Sequence, residues 1–214
     1  MFMIKRLRET IERDVFDYQQ LVDALANYRK PRDKITRLLE SGSIIRIKKG
    51  IYCFADPFRR KILSREYLAN ILFGPSYVSF QYALSHHGLI PERITNVTSA
   101  CTGRSREFST PFGNFNYRQM SVQRYSCGFV LESNSENAFF IATPEKALVD
   151  TVYCDKRIKG RSVSDYEGYL LDDLRIDIEL LRTLKTGLLK RIGDRYQSRK
   201  INNLVKYIES IEDD

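Results

Sequence analysis

Hydrophobic positions over the first fifty residues follow helical spacing and then change to strand spacing. Ile4, Leu7 and Ile11 recur at intervals of three and four residues, which predicts a helix over 3–13. Val15 and Phe16 interrupt this period and indicate an extended insert. Two further helices follow, and their apolar stripes are formed by Leu21, Val22, Leu25, Ile35, Leu38 and Leu39.

Polar and turn-forming residues mark the ends of these elements. Asp17 followed by Gln20 is a capping box, in which the carboxylate accepts backbone N–H groups and the amide reaches back. Pro31 fits the first position of a helix, where no amide hydrogen is needed, and Gly42 stops that helix at its C′ position. The segment KKG at 48–50 forms the turn of a hairpin between two Ile-containing strands.

This order of three helices and a basic-tipped hairpin predicts a winged helix-turn-helix domain over 1–56. In that arrangement the third helix enters the major groove and reads base edges. The hairpin tip lies along phosphates or in the adjacent minor groove. The dipeptide Asp56-Pro57 marks the boundary to a second domain over 57–214.

The second domain combines predicted helices with a mostly antiparallel sheet. A helix over 59–73 ends at Gly74-Pro75, and Thr143 is the predicted N-cap of a later helix. Alternating segments predict strands at 77–79, 95–101, 105–110, 114–119, 128–132 and 138–142, with a helix at 80–87. Helices follow over 166–171, 175–184, 188–196 and 200–209. The predicted fold class is α+β: an N-terminal winged helix-turn-helix, then a mixed α/β domain with a helical C-terminal tail.

Composition narrows the class of protein. The 214 residues are 43% hydrophobic and 29% charged, which suits a globular chain with a real core rather than a disordered one. No apolar run is long enough to span a membrane, and the charged start lacks the apolar core of a signal peptide. The four cysteines lack the spacing of zinc or redox motifs, and we expect them to be reduced and buried in a cytoplasmic protein.

The distribution of charge changes this picture. The chain carries a net charge of +8, and residues 29–50 alone hold eight basic residues against two acidic ones, a net +6. A basic amphipathic helix is usually only a solvated surface, but the capping box, Pro31, Gly42 and the basic hairpin occur here in the order that DNA binding requires. The predicted DNA-binding residues are Lys30, Arg32, Lys34, Thr36, Arg37, Arg46, Lys48 and Lys49.

Four segments resemble the AbiEi antitoxin family of type IV toxin–antitoxin and abortive-infection systems. They read LLESGSIIRIKKGIY, YVSFQYALSHHGLIPERI, REFSTPFGNFNYRQM and ATPEKALVD, and the resemblance runs from about Asp17 to about Asp150. It implies a winged-helix domain that binds operator repeats and represses its own operon. It also implies a second domain needed for antitoxicity, which opposes a nucleotidyltransferase-like toxin without a stable complex.

Two other functions stay open at this point. Some relatives in the resembled family are orphan regulators without a toxin. Alternatively, the chain is an RNA- or protein-interaction module, and its basic N-terminal segment anchors it to nucleic acid. The operator sequence, any effector and the oligomeric state are not predicted.

Enzymatic or metal chemistry is not expected, and neither is a cofactor. His86 and His87 are adjacent, so on a helix they point about 100° apart, and no carboxylate pattern beside them completes a metal site. Helix capping and a surface ion pair explain Glu145, Lys146 and Asp150 better than acid–base catalysis does. The sequence has no nucleophile motif and no glycine-rich phosphate loop.

A second basic stretch, over 185–200, is either a solvated helical face or an additional nucleic-acid surface. Two arginines near a predicted sheet edge could join it. The residues of this secondary surface are Arg104, Arg106, Lys190, Arg191, Arg195 and Arg199.

Overall fold

The computed structural model describes residues 2–133 and 137–212, which form two compact units. The first unit is Met1–Ser64 together with Thr110–Phe112, and the second is Arg65–Ser109 together with Gly113–Asp214. The described chain contains helices, an antiparallel sheet and a mixed sheet. The predicted combination of α and β structure is therefore confirmed.

The elements of the first unit follow the predicted order. They are α1 (Phe2–Thr10), β1 (Val15–Asp17), α2 (Tyr18–Ala24), α3 (Pro31–Glu40), β2 (Ile44–Lys48) and β3 (Ile51–Phe54). The strands form an antiparallel sheet in the order β1-β3-β2, so the extended insert before α2 becomes the third strand of the hairpin sheet.

The first helix is shorter than the predicted 3–13, because α1 ends at Thr10. The Arg8 guanidinium donates to the carbonyl groups of Ile11, Glu12 and Arg13 and pairs with Asp14 at 2.7 Å. These contacts hold the chain in a turn that leads into β1 instead of a further helical turn.

The predicted capping box of α2 is confirmed. The Asp17 carboxylate accepts the Gln20 backbone N–H at 2.8 Å, and the Gln20 side-chain oxygen accepts the Asp17 backbone N–H at 2.9 Å. Two N–H groups that a helix start leaves without partners are thereby satisfied.

The core of the first unit collects apolar side chains from all three helices and the sheet. The rings of Phe16 and Phe54 lie 4.8 Å apart at its centre. Each fully buried side chain of this kind contributes about 1.5–3 kcal/mol to folding. The core residues are Ile4, Leu7, Ile11, Phe16, Leu21, Leu25, Ile35, Leu38, Ile44, Tyr52 and Phe54.

The second unit is built on a six-stranded mixed sheet. Its strands are β4 (Ser76–Val78), β5 (Val97–Cys101), β6 (Arg106–Thr110), β7 (Gly113–Gln119), β8 (Phe129–Ser133) and β9 (Ala138–Ala142), in the order β6-β7-β5-β4-β9-β8. The pairs β4–β5 and β8–β9 are antiparallel as predicted, but β5–β7 and β4–β9 are parallel. Alternating polarity identifies a strand without revealing the direction of its neighbour, which the connecting segments decide.

The helices of this unit are α4 (Arg65–Leu72), α5 (Phe80–His86), α6 (Val122–Tyr125), α7 (Pro144–Cys154), α8 (Asp165–Glu167), α9 (Ile178–Arg182), α10 (Thr186–Tyr196) and α11 (Arg199–Glu212). A π-helical segment, Gly168–Asp173, continues α8. Every residue from Glu145 to Val152 on α7 is buried, so this helix lies inside the unit, packed against α5, α10 and α11. No helix among the described residues is both long and apolar enough to cross a membrane.

The helix predicted over 59–73 is wrong in its first half, because α4 begins only at Arg65. The Asp14 carboxylate accepts the backbone N–H groups of Arg60 at 3.0 Å and Lys61 at 2.9 Å. These N–H groups are held in an irregular segment that follows a short 3-10 turn, Asp56–Phe58. This tertiary contact is invisible in the local pattern.

Candidate nucleic-acid interface

Helix α3 is bounded by two features that the sequence predicted. Pro31 occupies its first turn, and Gly42 follows its C-terminal end with φ +64°. The Gly42 N–H donates to the Leu39 carbonyl at 3.0 Å and the Ser43 N–H to the Leu38 carbonyl at 2.9 Å. This pair of bonds is a Schellman motif, and its left-handed residue favours glycine.

The two faces of α3 differ sharply in chemistry. Ile35 and Leu38 are buried in the core, whereas Arg32, Thr36 and Arg37 are exposed. Lys30, at the N-cap position, is exposed as well. Asp33 and Glu40 are exposed on the same helix, so the exposed residues at 30–40 include three cations, two carboxylates and one threonine hydroxyl.

Two of the predicted residues on α3 already make local contacts. The Lys34 ammonium lies 5.1 Å from the centre of the Tyr28 ring, and the lysine is half-buried. The Thr36 hydroxyl donates to the Arg32 carbonyl at 3.2 Å. A partner that used these groups would have to replace or share those contacts.

The hairpin β2–β3 places its turn beside the start of α2. Gly50 has φ +88°, a left-handed conformation that glycine tolerates, and its carbonyl accepts the Tyr18 N–H at 3.0 Å. The strand register shifts between Arg46 and Lys48. Arg46 and Lys49 are exposed, and Lys48 is half-buried.

Five cations of α3 and the hairpin lie outside the ion pairs that the described residues form. Within the part of the chain that the structure describes, no carboxylate forms an ion pair with Lys30, Arg32, Arg37, Arg46 or Lys49. Exposed cations without counter-charges produce a field that attracts polyanions.

This segment is the one that comparison with known families recognises. Residues 5–55 match the family described as "Transcriptional regulator, AbiEi antitoxin". Over these residues the chain is similar to that family. A search of curated proteins found no match. We refer to residues 5–55 as the AbiEi segment.

The match confirms the family resemblance, but it covers a different range of residues from the one predicted. The AbiEi segment begins before Asp17, where the resemblance was predicted to start, and the residues from 56 to 150 lie outside the match. The family description is regulatory and names no class of enzyme.

Outside the AbiEi segment, the secondary basic surface is partly occupied by internal contacts. Lys190 pairs with Glu209 at 3.2 Å, and the Arg199 guanidinium donates to the Arg161 carbonyl at 3.3 Å. The Arg106 guanidinium lies 5.6 Å from the centre of the Phe73 ring, at the start of edge strand β6.

The other members of this surface, Arg104, Arg191 and Arg195, are exposed. Among the described residues, the pair of Lys190 with Glu209 is the only ion pair that this surface forms, and the nucleic-acid role of the surface stays a prediction.

The prediction of a surface ion pair on α7 is wrong, because Lys146 and Asp150 are completely buried. Their side chains meet at 3.2 Å, one helical turn apart. Glu145 is also buried, and its carboxylate accepts the Lys185 backbone N–H at 3.0 Å. Thr143 is the predicted N-cap, and its hydroxyl accepts the Lys146 N–H at 3.3 Å.

Three protein groups surround the Lys146 ammonium. It donates to the Arg124 carbonyl at 2.6 Å and to the Tyr196 hydroxyl at 2.5 Å, and it forms an ion pair with Asp150. These contacts offset the cost of burying the charge inside the unit.

The Asp150 carboxylate is satisfied in the same way. It accepts the Tyr77 hydroxyl at 3.1 Å, the Ser79 hydroxyl at 2.6 Å and the Tyr196 hydroxyl. Burial and the Asp150 charge raise the pKa of both tyrosines above their ordinary value, so they remain neutral donors. In the sequence, the i, i+4 spacing of Lys146 and Asp150 indicated that the two side chains could pair. Their partners Tyr77, Ser79 and Tyr196 could not be predicted, because they lie on distant elements.

The expectation that the two histidines diverge with no carboxylate nearby is also wrong. Helix α5 ends at His86 and His87 is its C-cap, yet one ligand atom of each histidine lies within 4.8 Å of the other and of one Glu132 carboxylate oxygen. Glu132 on β8 reaches the pair, and its Oε2 lies 3.0 Å from His86 Nε2. Sequence reasoning missed this partner because it is 46 residues away.

The four cysteines are free thiols. Cys53 and Cys101 are buried as expected, whereas Cys127 and Cys154 are half-buried. Burial raises the pKa of all four thiols, which disfavours the thiolate that nucleophilic or metal chemistry needs.

Proposed function

We propose that the AbiEi segment is a winged helix that binds operator DNA, with α3 in the major groove and the β2–β3 hairpin on adjacent phosphates. The proposal depends mainly on one observation: among the described residues, five cations of α3 and the hairpin have no ion-pair partner, and they lie in a segment that matches a family of transcriptional regulators. These cations are Lys30, Arg32, Arg37, Arg46 and Lys49. The order of helices followed by a hairpin supports this geometry.

The exposed residues divide into two roles by position. Thr36 and Arg37 lie in the middle of the exposed face of α3, where a helix in the major groove meets base edges. The remaining residues would contact phosphates from the helix start and the hairpin, and they are Lys30, Arg32, Lys34, Arg46, Lys48 and Lys49.

We further propose that the protein represses its own operon and acts as the antitoxin of a type IV system. The family description names both an antitoxin and a regulator. In this proposal the second unit opposes a nucleotidyltransferase-like toxin without forming a stable complex. Co-expression with a nucleotidyltransferase-like protein encoded beside it tests this role: rescue of growth supports it, and continued toxicity contradicts it.

The DNA proposal is tested by fluorescence anisotropy with duplex DNA from upstream of its own gene and with a scrambled duplex. With about five phosphate contacts, log affinity falls against log salt with a slope of roughly −4 to −5. Lys49→Ala should weaken binding to both duplexes and reduce the slope by about 1. Arg37→Ala should cost about 1–3 kcal/mol on the operator and much less on the scrambled duplex.

Lys5→Ala is the matched control, because Lys5 is an exposed cation on α1 of the same unit, outside the proposed surface. Its substitution should leave operator preference unchanged. Equal losses on both duplexes with Arg37→Ala would contradict base reading by that residue. Binding of single-stranded RNA in preference to both duplexes would support an RNA-interaction module instead.

A further inference from the structure

The second unit brings two histidines and a carboxylate together at the junction of α5 and β8. His86 ends α5, His87 caps it, and Glu132 lies on β8, an edge strand of the six-stranded sheet. One ligand atom from each of the three residues lies within 4.8 Å of the other two. None of the three is fully buried, so an ion could reach them from solvent.

The distance between two of these groups already matches shared coordination. Zinc binds imidazole nitrogen and carboxylate oxygen at about 2.0–2.2 Å, which places two such atoms on a tetrahedral ion about 3.3 Å apart. His86 Nε2 and Glu132 Oε2 are 3.0 Å apart. An ion can therefore replace the hydrogen that His86 Nε2 and Glu132 Oε2 share, once these two atoms move apart by a few tenths of an ångström.

The surroundings of His87 provide an independent indication. Its Nε2 lies 2.8 Å from the Ala142 carbonyl oxygen, and a carbonyl can only accept, so Nε2 carries the hydrogen. This leaves the lone pair on Nδ1. Histidines that bind metals almost always donate their other ring N–H to a carbonyl or carboxylate, which fixes the tautomer and the orientation of the ring.

The donor set determines the class of ion. Two imidazoles and one carboxylate are the ligands of zinc sites that keep a fourth position for water, whereas calcium and magnesium prefer oxygen ligands alone. We propose that His86, His87 and Glu132 bind one zinc-class divalent cation that ties the end of α5 to edge strand β8. This inference is independent of the proposed DNA binding.

Isothermal titration of the chelator-treated full chain with zinc chloride tests the proposal. The expected result is one equivalent bound, with a rise in the melting temperature of the second unit. Glu132→Gln and His86→Gln should each weaken zinc affinity by roughly tenfold to hundredfold or more. Circular dichroism without metal should show that both variants remain folded, because these side chains are partly exposed.

The thiols supply the control. A Cys127→Ser, Cys154→Ser variant should bind zinc like the native chain, and the cobalt-loaded native chain should show no thiolate charge-transfer band. The proposal is overturned if the native chain binds no zinc. It is equally overturned if the histidine and glutamate variants keep the native affinity, or if the cysteine variant loses it.

Discussion

The buried ion pair of Lys146 and Asp150 on α7 leads to a quantitative prediction about stability. Asp150→Asn removes the negative charge and leaves the Lys146 ammonium, which is fully buried, without its counter-ion at 3.2 Å. Removing one partner of a buried ion pair costs about 3–5 kcal/mol, because the remaining charge stays out of water. For a chain of this size, 1 kcal/mol shifts the melting temperature by about 2–4 °C, so we expect a decrease of roughly 6–20 °C.

The double variant Lys146→Met, Asp150→Asn separates charge from packing. Methionine keeps the length of the lysine side chain, and neither buried charge then remains. We therefore expect the double variant to lose less stability than Asp150→Asn alone, a non-additivity that an ion pair requires and a cavity effect does not produce.

The melting temperatures of the variants are measured by thermal unfolding, monitored with circular dichroism and with tyrosine fluorescence. Tyrosine is the fluorescent probe because the chain contains no tryptophan. The matched control is Glu92→Gln, which breaks the exposed pair of Glu92 and Arg175 at 3.0 Å. Exposed pairs contribute only about 0–1 kcal/mol. If Asp150→Asn lowers the melting temperature no more than Glu92→Gln does, the reasoning about the buried pair is refuted.

Three further predictions concern local features. Asp17→Ala removes the acceptor of the Gln20 N–H at 2.8 Å and should lower the unfolding free energy of the first unit by about 0.5–2 kcal/mol in urea denaturation; no change would contradict the capping role. Gly50→Val forces a branched residue to φ +88° and should destabilise the first unit by about 1–2 kcal/mol in the same assay, and a neutral result would refute the strain. Hydrogen bonds from Arg157 lower the pKa of Asp155 to about 2, so this carboxylate stabilises the fold fully above its unfolded pKa of about 3.9 and loses that contribution as pH falls towards 2. Asp155→Asn should therefore flatten the pH dependence of unfolding between pH 4 and 2, and an unchanged profile would count against it.

Much of the first unit could be predicted from sequence because its determinants are local. The Asp17 capping box, Pro31 at the start of α3, and the left-handed glycines at 42 and 50 act within a few residues of their positions. The helical and strand periods of the apolar residues then indicate which faces are buried. The exposed cationic residues of α3 follow from the same pattern.

The second unit shows where such reasoning stops. Alternation identified its strands, but the direction of β5–β7 and β4–β9 depends on connections rather than on local polarity. The charges of Lys146 and Asp150 predicted that both side chains lie on the surface. They are buried instead, because hydroxyl groups of distant elements form hydrogen bonds with them inside the unit.

The sequence by itself therefore determined the element order, the caps and the cationic composition of the AbiEi segment, because these depend on neighbours along the chain. Only the tertiary structure decided that α7 is buried and that Glu132 meets His86 across 46 residues. The physical reason is that burial and long-range hydrogen bonding depend on which segments pack together, and periodicity carries no record of that choice.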